Sequence, residues 1–300
     1  MALVQYSMAN RENAHILEVS LTIGYSDNGG MELLTGMLNC QGIPRQEIAE
    51  SLEWPYRRLS VYFTSGTKAK KFQDSLRALR LKHVRCTVNR LRDKDWKTKW
   101  KDDFKPFVLT RTFGVVPIWQ KGTYQFRGKV PIYIDTDLAF GTGLHPTTKY
   151  VAGFIERLRG RFNSFFDFGT GTGILSILAS KCGCPDVEAI DISADAVTAA
   201  RKNFISNDCP QVKVKTADGR KWNIPKKYDL VCANILTQDL IEMGDIILRT
   251  VNPGRYLAVS GISLISYKHF RAAFARYGLR CIKVEKGKGW AAILYQKPYK

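Results

Sequence analysis

Histidine is scarce in this chain, with four in 300 residues. His15, His83, His145 and His269 stand far apart, and no second Cys or His pair lies at a zinc-ligand spacing from the C-x-C of Cys182 and Cys184. A structural metal centre is therefore not expected. Long apolar runs are missing too. None approaches the ~18 residues of a membrane span, and the opening segment MALVQYSMANRENAHILEV has no signal-peptide apolar core. Acidic residues are in deficit, 27 Asp and Glu against 46 Lys and Arg, which leaves a net charge of +19. That imbalance favours encounters with polyanions or acidic surfaces and carries no information about fold. The seven cysteines are odd in number and sit mostly in apolar stretches such as LVCAN. Reduced, packed thiols in a cytoplasmic protein are the expectation. No internal repeat, low-complexity tract or Gly/Ser-rich linker interrupts the chain.

What is present is enough apolar material, 45% of residues, for a core in each of two domains. Residues 1–92 alternate strand and helix patterns. HILEVSLTI (His15–Ile23) and RRLSVYFTS (Arg57–Ser65) read as strands. MELLTGMLNC has helical apolar spacing. TKAKKFQDSLRALR (Thr67–Arg80) is an amphipathic helix, and HVRCTVNRL is a further strand. This order predicts a small α+β domain of ferredoxin-like type. Residues 93–137 form a connector. Its first part, DKDWKTKWKDDFKPF, places Trp96 and Trp100 one helical turn apart, and VLTRTFGVVPIW and KVPIYIDT then read as strands. Residues 138–300 repeat strand and helix. FNSFFDFG, VEAIDIS, VKVKTAD, YDLVCANIL and RYLAVSGI are strands, and LRCIKVEKG with GWAAILYQK reads as a closing hairpin. Such alternation predicts a parallel, doubly wound sheet with one antiparallel strand at its end.

Four segments of this last stretch carry the chemistry. DFGTGTG (Asp167–Gly173) follows a strand and opens a helix, and its glycines permit a tight turn and a close ligand approach. A nicotinamide fingerprint requires Gly at position 174, where Ile174 stands. The G-x-G-x-G spacing after an Asp instead resembles the first motif of S-adenosylmethionine methyltransferases. Asp191 ends the next strand about twenty residues on, where a carboxylate can accept hydrogen bonds from both hydroxyls of a ribose. Asp218, in TADGR, ends the strand after that and either faces an adenine or makes an ordinary Asp-Gly turn. Asn234 closes YDLVCANIL, with amide donors and an acceptor to offer a cofactor or a target amine. Finally, DLAFGTGLHPTT (Asp137–Thr148) is a loop with Gly141 and Gly143 as pivots, able to fold over a ligand. Thr147 and Thr148 start the following helix.

LAFGTGLHPTT, DFGTGTGILSILASK, AIDISADAV and ANIL occur here in the order and spacing of the PrmA-type ribosomal protein methyltransferases, and DWKTKWKDDFKPF is similar to that family's interdomain segment. The resemblance is strong from Asp93 to Ile235 and looser at both ends. It implies a Rossmann-like, seven-stranded methyltransferase sheet with a smaller N-terminal domain that grips the target. It further implies S-adenosylmethionine as cofactor, held by Thr148, Gly169, Asp191 and Asn234. Gly171, Phe140 and Thr142 complete the candidate cofactor contacts. The implied substrate is a large-subunit ribosomal protein, methylated on lysine side chains and its N-terminal amine. The chain is more basic than the family pattern, and its N-terminal domain departs from it most.

For that chemistry the amine must be neutral, against a free lysine pKa of about 10.4, and desolvation favours the neutral form. Asn234 is a candidate for orienting the amine. His145, in the candidate loop, either accepts the proton, steers the amine or merely shapes the loop before Pro146. A basic band from Lys68 to Lys105 is either a ribosomal RNA contact or a solvated face. The competing function is an RNA or other-substrate methyltransferase on the same cofactor fold. Ile235 and Leu236, rather than a stacking aromatic, follow Asn234, which argues against a base-amine target. A module that kept the fold and lost turnover is disfavoured by the intact glycine turn and Asp191.

Overall fold

The protein is described from a computed structural model, which covers residues 16–24, 48–53, 56–63, 65–78, 84–91, 104–135, 143–222 and 226–299. The chain forms two compact units, Met1–Phe104 and Lys105–Lys300. Trp96 and Trp100 of the connector, the helix expected over MELLTGMLNC, and Phe140, Gly141 and Thr142 of the loop lie outside the described residues.

The first unit holds a four-stranded antiparallel sheet of β1 (Ile16–Gly24), β2 (Ile48–Glu53), β3 (Tyr56–Phe63) and β4 (Val84–Leu91), ordered β2-β3-β1-β4. This is the ferredoxin-like order. Helix α1 (Gly66–Ala78) links β3 to β4 and buries Ala69, Phe72 and Leu76, one face of its amphipathic stripe. Phe72 meets Phe63 of β3 with ring centroids 5.3 Å apart. Lys68, Lys70, Lys71 and Arg77 remain exposed on the opposite side.

The second unit opens with a small sheet of β5 (Phe107–Val108), β6 (Phe113–Pro117) and β7 (Val130–Ile134). VLTRTFGVVPIW is thus not one strand. Leu109 and Thr110 turn back onto the Phe113 carbonyl, and Ile118–Gln120 is a 3-10 turn. Helix α2 (Pro146–Arg157) follows the loop. The main sheet then assembles from β8 (Ser164–Phe168), β9 (Asp186–Asp191), β10 (Lys213–Thr216), β11 (Tyr228–Asn234), β12 (Val251–Ser263), β13 (Arg280–Gly287) and β14 (Trp290–Gln296), in the order β10-β9-β8-β11-β12-β14-β13. β8 to β12 pair in parallel, and β14 runs antiparallel to both neighbours. The expected hairpin joins β13 to β14 through Lys288 and Gly289, both at positive φ (49° and 80°), as a two-residue turn requires.

Helices α3 (Ile174–Lys181), α4 (Ala194–Ser206), α5 (Thr237–Glu242), α6 (Gly244–Thr250) and α7 (Tyr267–Ala275) cover the sheet. The central strands are apolar on both faces because both are covered. Phe166, Phe168, Tyr228, Ile247 and Phe270 pack in one core cluster, each such side chain contributing about 1.5–3 kcal/mol on burial. Among the described residues no helix is long and apolar enough to cross a membrane.

Candidate functional site

Strand order reverses between β8 and β11: from β8 the chain moves outward to β9 and β10, then returns to β11 on the other side. In open α/β sheets ligands bind outside the strand carboxyl ends at such a switch point. The glycine turn leaves β8 at this place.

Gly169, Gly171 and Gly173 have φ of +70°, +56° and +82°, a region L side chains rarely adopt. Space demands glycine as well. A Cβ on Gly169 would lie 2.6 Å from Ile235 Cγ2, and one on Gly173 would lie 2.5 Å from the Phe204 ring. The Gly169 and Thr170 amides donate to the Ile190 carbonyl at 2.9 and 3.1 Å, which ties the turn to the end of β9. Asp191 completes that tie. Its Oδ2 accepts from the Gly171 amide at 2.9 Å and its Oδ1 from the Ser193 amide at 3.0 Å. The carboxylate that ends β9 therefore holds the glycine turn directly, and each oxygen retains acceptor capacity. Ser193 caps α4 by accepting from the Ala196 amide. Ile192, between them, is an exposed apolar side chain, 67% accessible.

Beneath the turn, Asp167 is fully buried. Its Oδ2 accepts from Thr170 Oγ1 (2.8 Å) and Ser176 Oγ (3.1 Å), while Oδ1 has no partner. Burial pushes this carboxyl up to about 7, against the pull of the two hydroxyls and with a smaller push from Asp191. A carboxyl with one unpartnered oxygen in an apolar setting favours its proton.

The other wall of the site is the start of α2. His145 is its N-cap, with Nδ1 at 2.7 Å from Thr147 Oγ1 and accepting from the Thr147 amide at 3.4 Å. Its ring lies edge-on to Trp290, with centroids 5.1 Å apart. Burial lowers the imidazole to about 4, so it is neutral at ordinary pH. Thr148 is buried, and its Oγ1 receives Asn234 Nδ2 at 3.4 Å. The structure thus brings Thr148, His145 and Asn234 together at one wall and Gly169, Gly171 and Asp191 at the other. The described end of the loop reaches the same place: a Cβ on Gly143 (φ +88°) would meet Ile174 Cδ1 at 2.6 Å, at the first residue after the turn. Asp218 instead accepts from the Arg220 amide and faces the Arg220 guanidinium, which also engages Asp239 and Glu242.

Several contributors are not apparent from sequence. Buried Asn203 donates to the Thr172 carbonyl (2.9 Å) and accepts from the Asp135 amide (2.8 Å). One turn later Asn207 bonds both backbone groups of Tyr133. These two amides fasten the chain that enters the loop to the glycine turn. Trp290, at the start of β14, packs on His145 with its Nε1 buried and without a partner. Leu144, Leu236, Leu264 and Ile265 are exposed apolar side chains, the first within the loop and the others just after β11 or β12.

This groove fits an adenosyl amino acid. It offers a carboxylate with acceptor capacity to spare, glycine backbone that a Cβ would obstruct, and amide and hydroxyl groups at the far wall. A glycine turn on the first strand, a carboxylate closing the second and an antiparallel seventh strand together define an S-adenosylmethionine-dependent methyltransferase. The model of the family described as ribosomal protein L11 methyltransferase (PrmA) matches residues 30–298, and the chain belongs to that family. Ribosomal protein L11 methyltransferases of Staphylococcus aureus (strain MRSA252) and Staphylococcus haemolyticus (strain JCSC1435) are 32% and 33% identical to it over 247 and 251 residues, covering 80% of this chain and 79% of each relative. A crystal structure of a ribosomal protein L11 methylase from Lactobacillus delbrueckii subsp. bulgaricus superposes with a TM-score of 0.60 at 27% identity, covering 65% of this chain and all of that one.

Proposed function

We propose that this enzyme transfers methyl groups from S-adenosylmethionine to the lysine side-chain and N-terminal amines of ribosomal protein L11 in the cytoplasm. The observation that carries the site assignment is the bond from Asp191 to the glycine turn, opposite the Thr148–Asn234 contact across the switch point. The substrate follows from family membership over residues 30–298.

The cofactor supplies a methyl group already activated on a sulfonium, so no metal is required. Asp191 accepts the ribose hydroxyls. Gly169 and Gly171 let the backbone lie against the cofactor. Thr148 and Asn234 hold its amino-acid end, and Asn234 orients the incoming amine. Desolvation in the cleft favours the neutral amine, and alignment contributes on the order of 7–11 kcal/mol of the barrier. His145, with a pKa of about 4, is a weak proton acceptor beside a lysine of about 10.4. Its part is to steer the amine and cap α2 as a neutral ring. The exposed lysines of α1 support a second contact of the N-terminal unit, with ribosomal RNA, whose signature is a steep salt dependence for particles and a shallow one for free L11.

The test is incubation with methyl-labelled cofactor, free L11 and large-subunit particles, followed by mass spectrometry. Label on L11 amines is expected. Label confined to RNA would overturn the substrate assignment.

A further inference from the structure

A second feature of the catalytic unit lies at the opposite end of the main sheet. Tyr256, Gln296 and Arg280 form one row across β12, β14 and β13. The row at the cofactor end is Ser263, Trp290 and Gly287. Six residues of β14 and seven of β12 and β13 separate the two, roughly 20–23 Å at ~3.3 Å per residue. Beside the first row lies a cavity of about 270 Å³, whose lining includes Arg157, Arg161 and Arg280.

Arg157 ends α2, Arg161 follows in the turn R-L-R-G-R, and Arg280 opens the edge strand β13. All three are exposed. Among the described residues none has a carboxylate within ion-pair distance, whereas neighbouring Arg255 is paired with Asp229 at 3.2 Å. Arg255 also donates to the Arg161 carbonyl at 3.2 Å, which helps hold the turn in place. A register shift in β13 between Cys281 and Lys283 locally bends the strand where the cavity opens. The carboxyl end of α2 points here with about half a negative charge. Three full guanidinium charges outweigh it, so the cavity is net positive. Planar guanidinium forks on three residues lining one cavity, without carboxylate partners, suit the tetrahedral oxygens of a phosphate.

We infer that this cavity is an anion site for a phosphate group, carried by an RNA backbone or by a free phosphate. The site is separate from the cofactor groove and stands whether or not L11 is the substrate.

The test uses the full chain and the triple variant Arg157→Gln/Arg161→Gln/Arg280→Gln, with Arg280→Gln alone as a second variant should the triple one fold poorly. Calorimetry with S-adenosylhomocysteine checks that the cofactor groove is intact. One arm follows a short fluorescein-labelled single-stranded RNA by anisotropy across a salt series. The other compares the melting temperature in inorganic phosphate with that in sodium chloride of matched ionic strength. For an RNA backbone, the triple variant binds RNA about tenfold more weakly, and its salt slope falls by about 0.7 for each phosphate no longer neutralised. For a free phosphate, only the stabilisation by phosphate is lost. Unchanged RNA affinity together with unchanged phosphate stabilisation would overturn the inference.

Discussion

Asp191→Ala probes the groove most cleanly, because the carboxylate has two separable duties. Within the protein it accepts the Gly171 and Ser193 amides at 2.9 and 3.0 Å. In the proposed cofactor complex it accepts two ribose hydroxyls. A hydrogen bond to a charged group contributes about 1.5–3 kcal/mol. Taking the low end for a half-exposed carboxylate, two lost ribose bonds amount to about 3 kcal/mol, or roughly a 150-fold weaker affinity. The two lost amide bonds act on stability instead. A cost of about 1–2 kcal/mol lowers the melting temperature by roughly 2–8 °C in a unit of this size. Asp191→Asn should rescue little, since its NH2 must face either the Gly171 or the Ser193 amide, donor against donor. Calorimetry with S-adenosylhomocysteine on the wild type and both variants reads the first duty, and thermal unfolding reads the second. A melting temperature that falls while affinity stays within threefold of wild type would leave Asp191 a purely structural residue and refute the ribose assignment.

Gly261→Ala should be among the most damaging single changes. Gly261 has φ +83° and a Cβ there would run into the Ile235 carbonyl oxygen, so a loss of about 2–3 kcal/mol in denaturant unfolding is expected, and a neutral result would contradict the packing. Asp167→Asn mimics the protonated acid. Because the folded pKa is raised to about 7 from 3.8, the native state holds a proton that the unfolded state releases. The wild type therefore loses stability as pH rises from about 4 through 7 and levels off above it. The Asn variant should gain in relative melting temperature between pH 5 and pH 8, by roughly 5 °C, and a gain toward acid would reverse the assignment. His145 works the other way. Its folded pKa of about 4 lies below the ordinary 6.5, so its contribution is complete above 6.5 and fades as pH falls toward 4. His145→Asn keeps an N-cap and should leave the shape of the pH–rate profile unchanged above pH 6; an inflection near 6.5 that this variant abolished would identify the ring as a titrating base.

The glycine turn and Asp191 are legible in sequence because their roles are local: a strand, three residues that tolerate positive φ, and a carboxylate one strand later. The segment DLIEMGDIILRTV (Asp239–Val251) reads in sequence as one helix, but the structure has two, α5 and α6. The break falls at Met243–Gly244, where Gly244 lies against Tyr277, a partner more than thirty residues away. β2 is hidden for a similar reason. IAESLE places Ile48 and Leu52 at helical spacing, and only pairing with β3 makes it extended. Asn203 and Asn207 look like solvent-facing positions of an amphipathic helix, and their partners lie about seventy residues earlier. The arginine cavity is equally invisible, since Arg157, Arg161 and Arg280 line one cavity only once α2 has packed on β12 and β14 and β13 has paired with β14.

The central claim is that the adenosyl cofactor lies across the carboxyl ends of β8, β9 and β11. A crystal structure of the complex with S-adenosylhomocysteine tests it directly. The account predicts ribose hydroxyls on Asp191, the backbone of Gly169 and Gly171 against the ligand, and the sulfur turned toward Asn234. Density for the ligand anywhere else, or a groove filled by protein side chains in the complex, would contradict it.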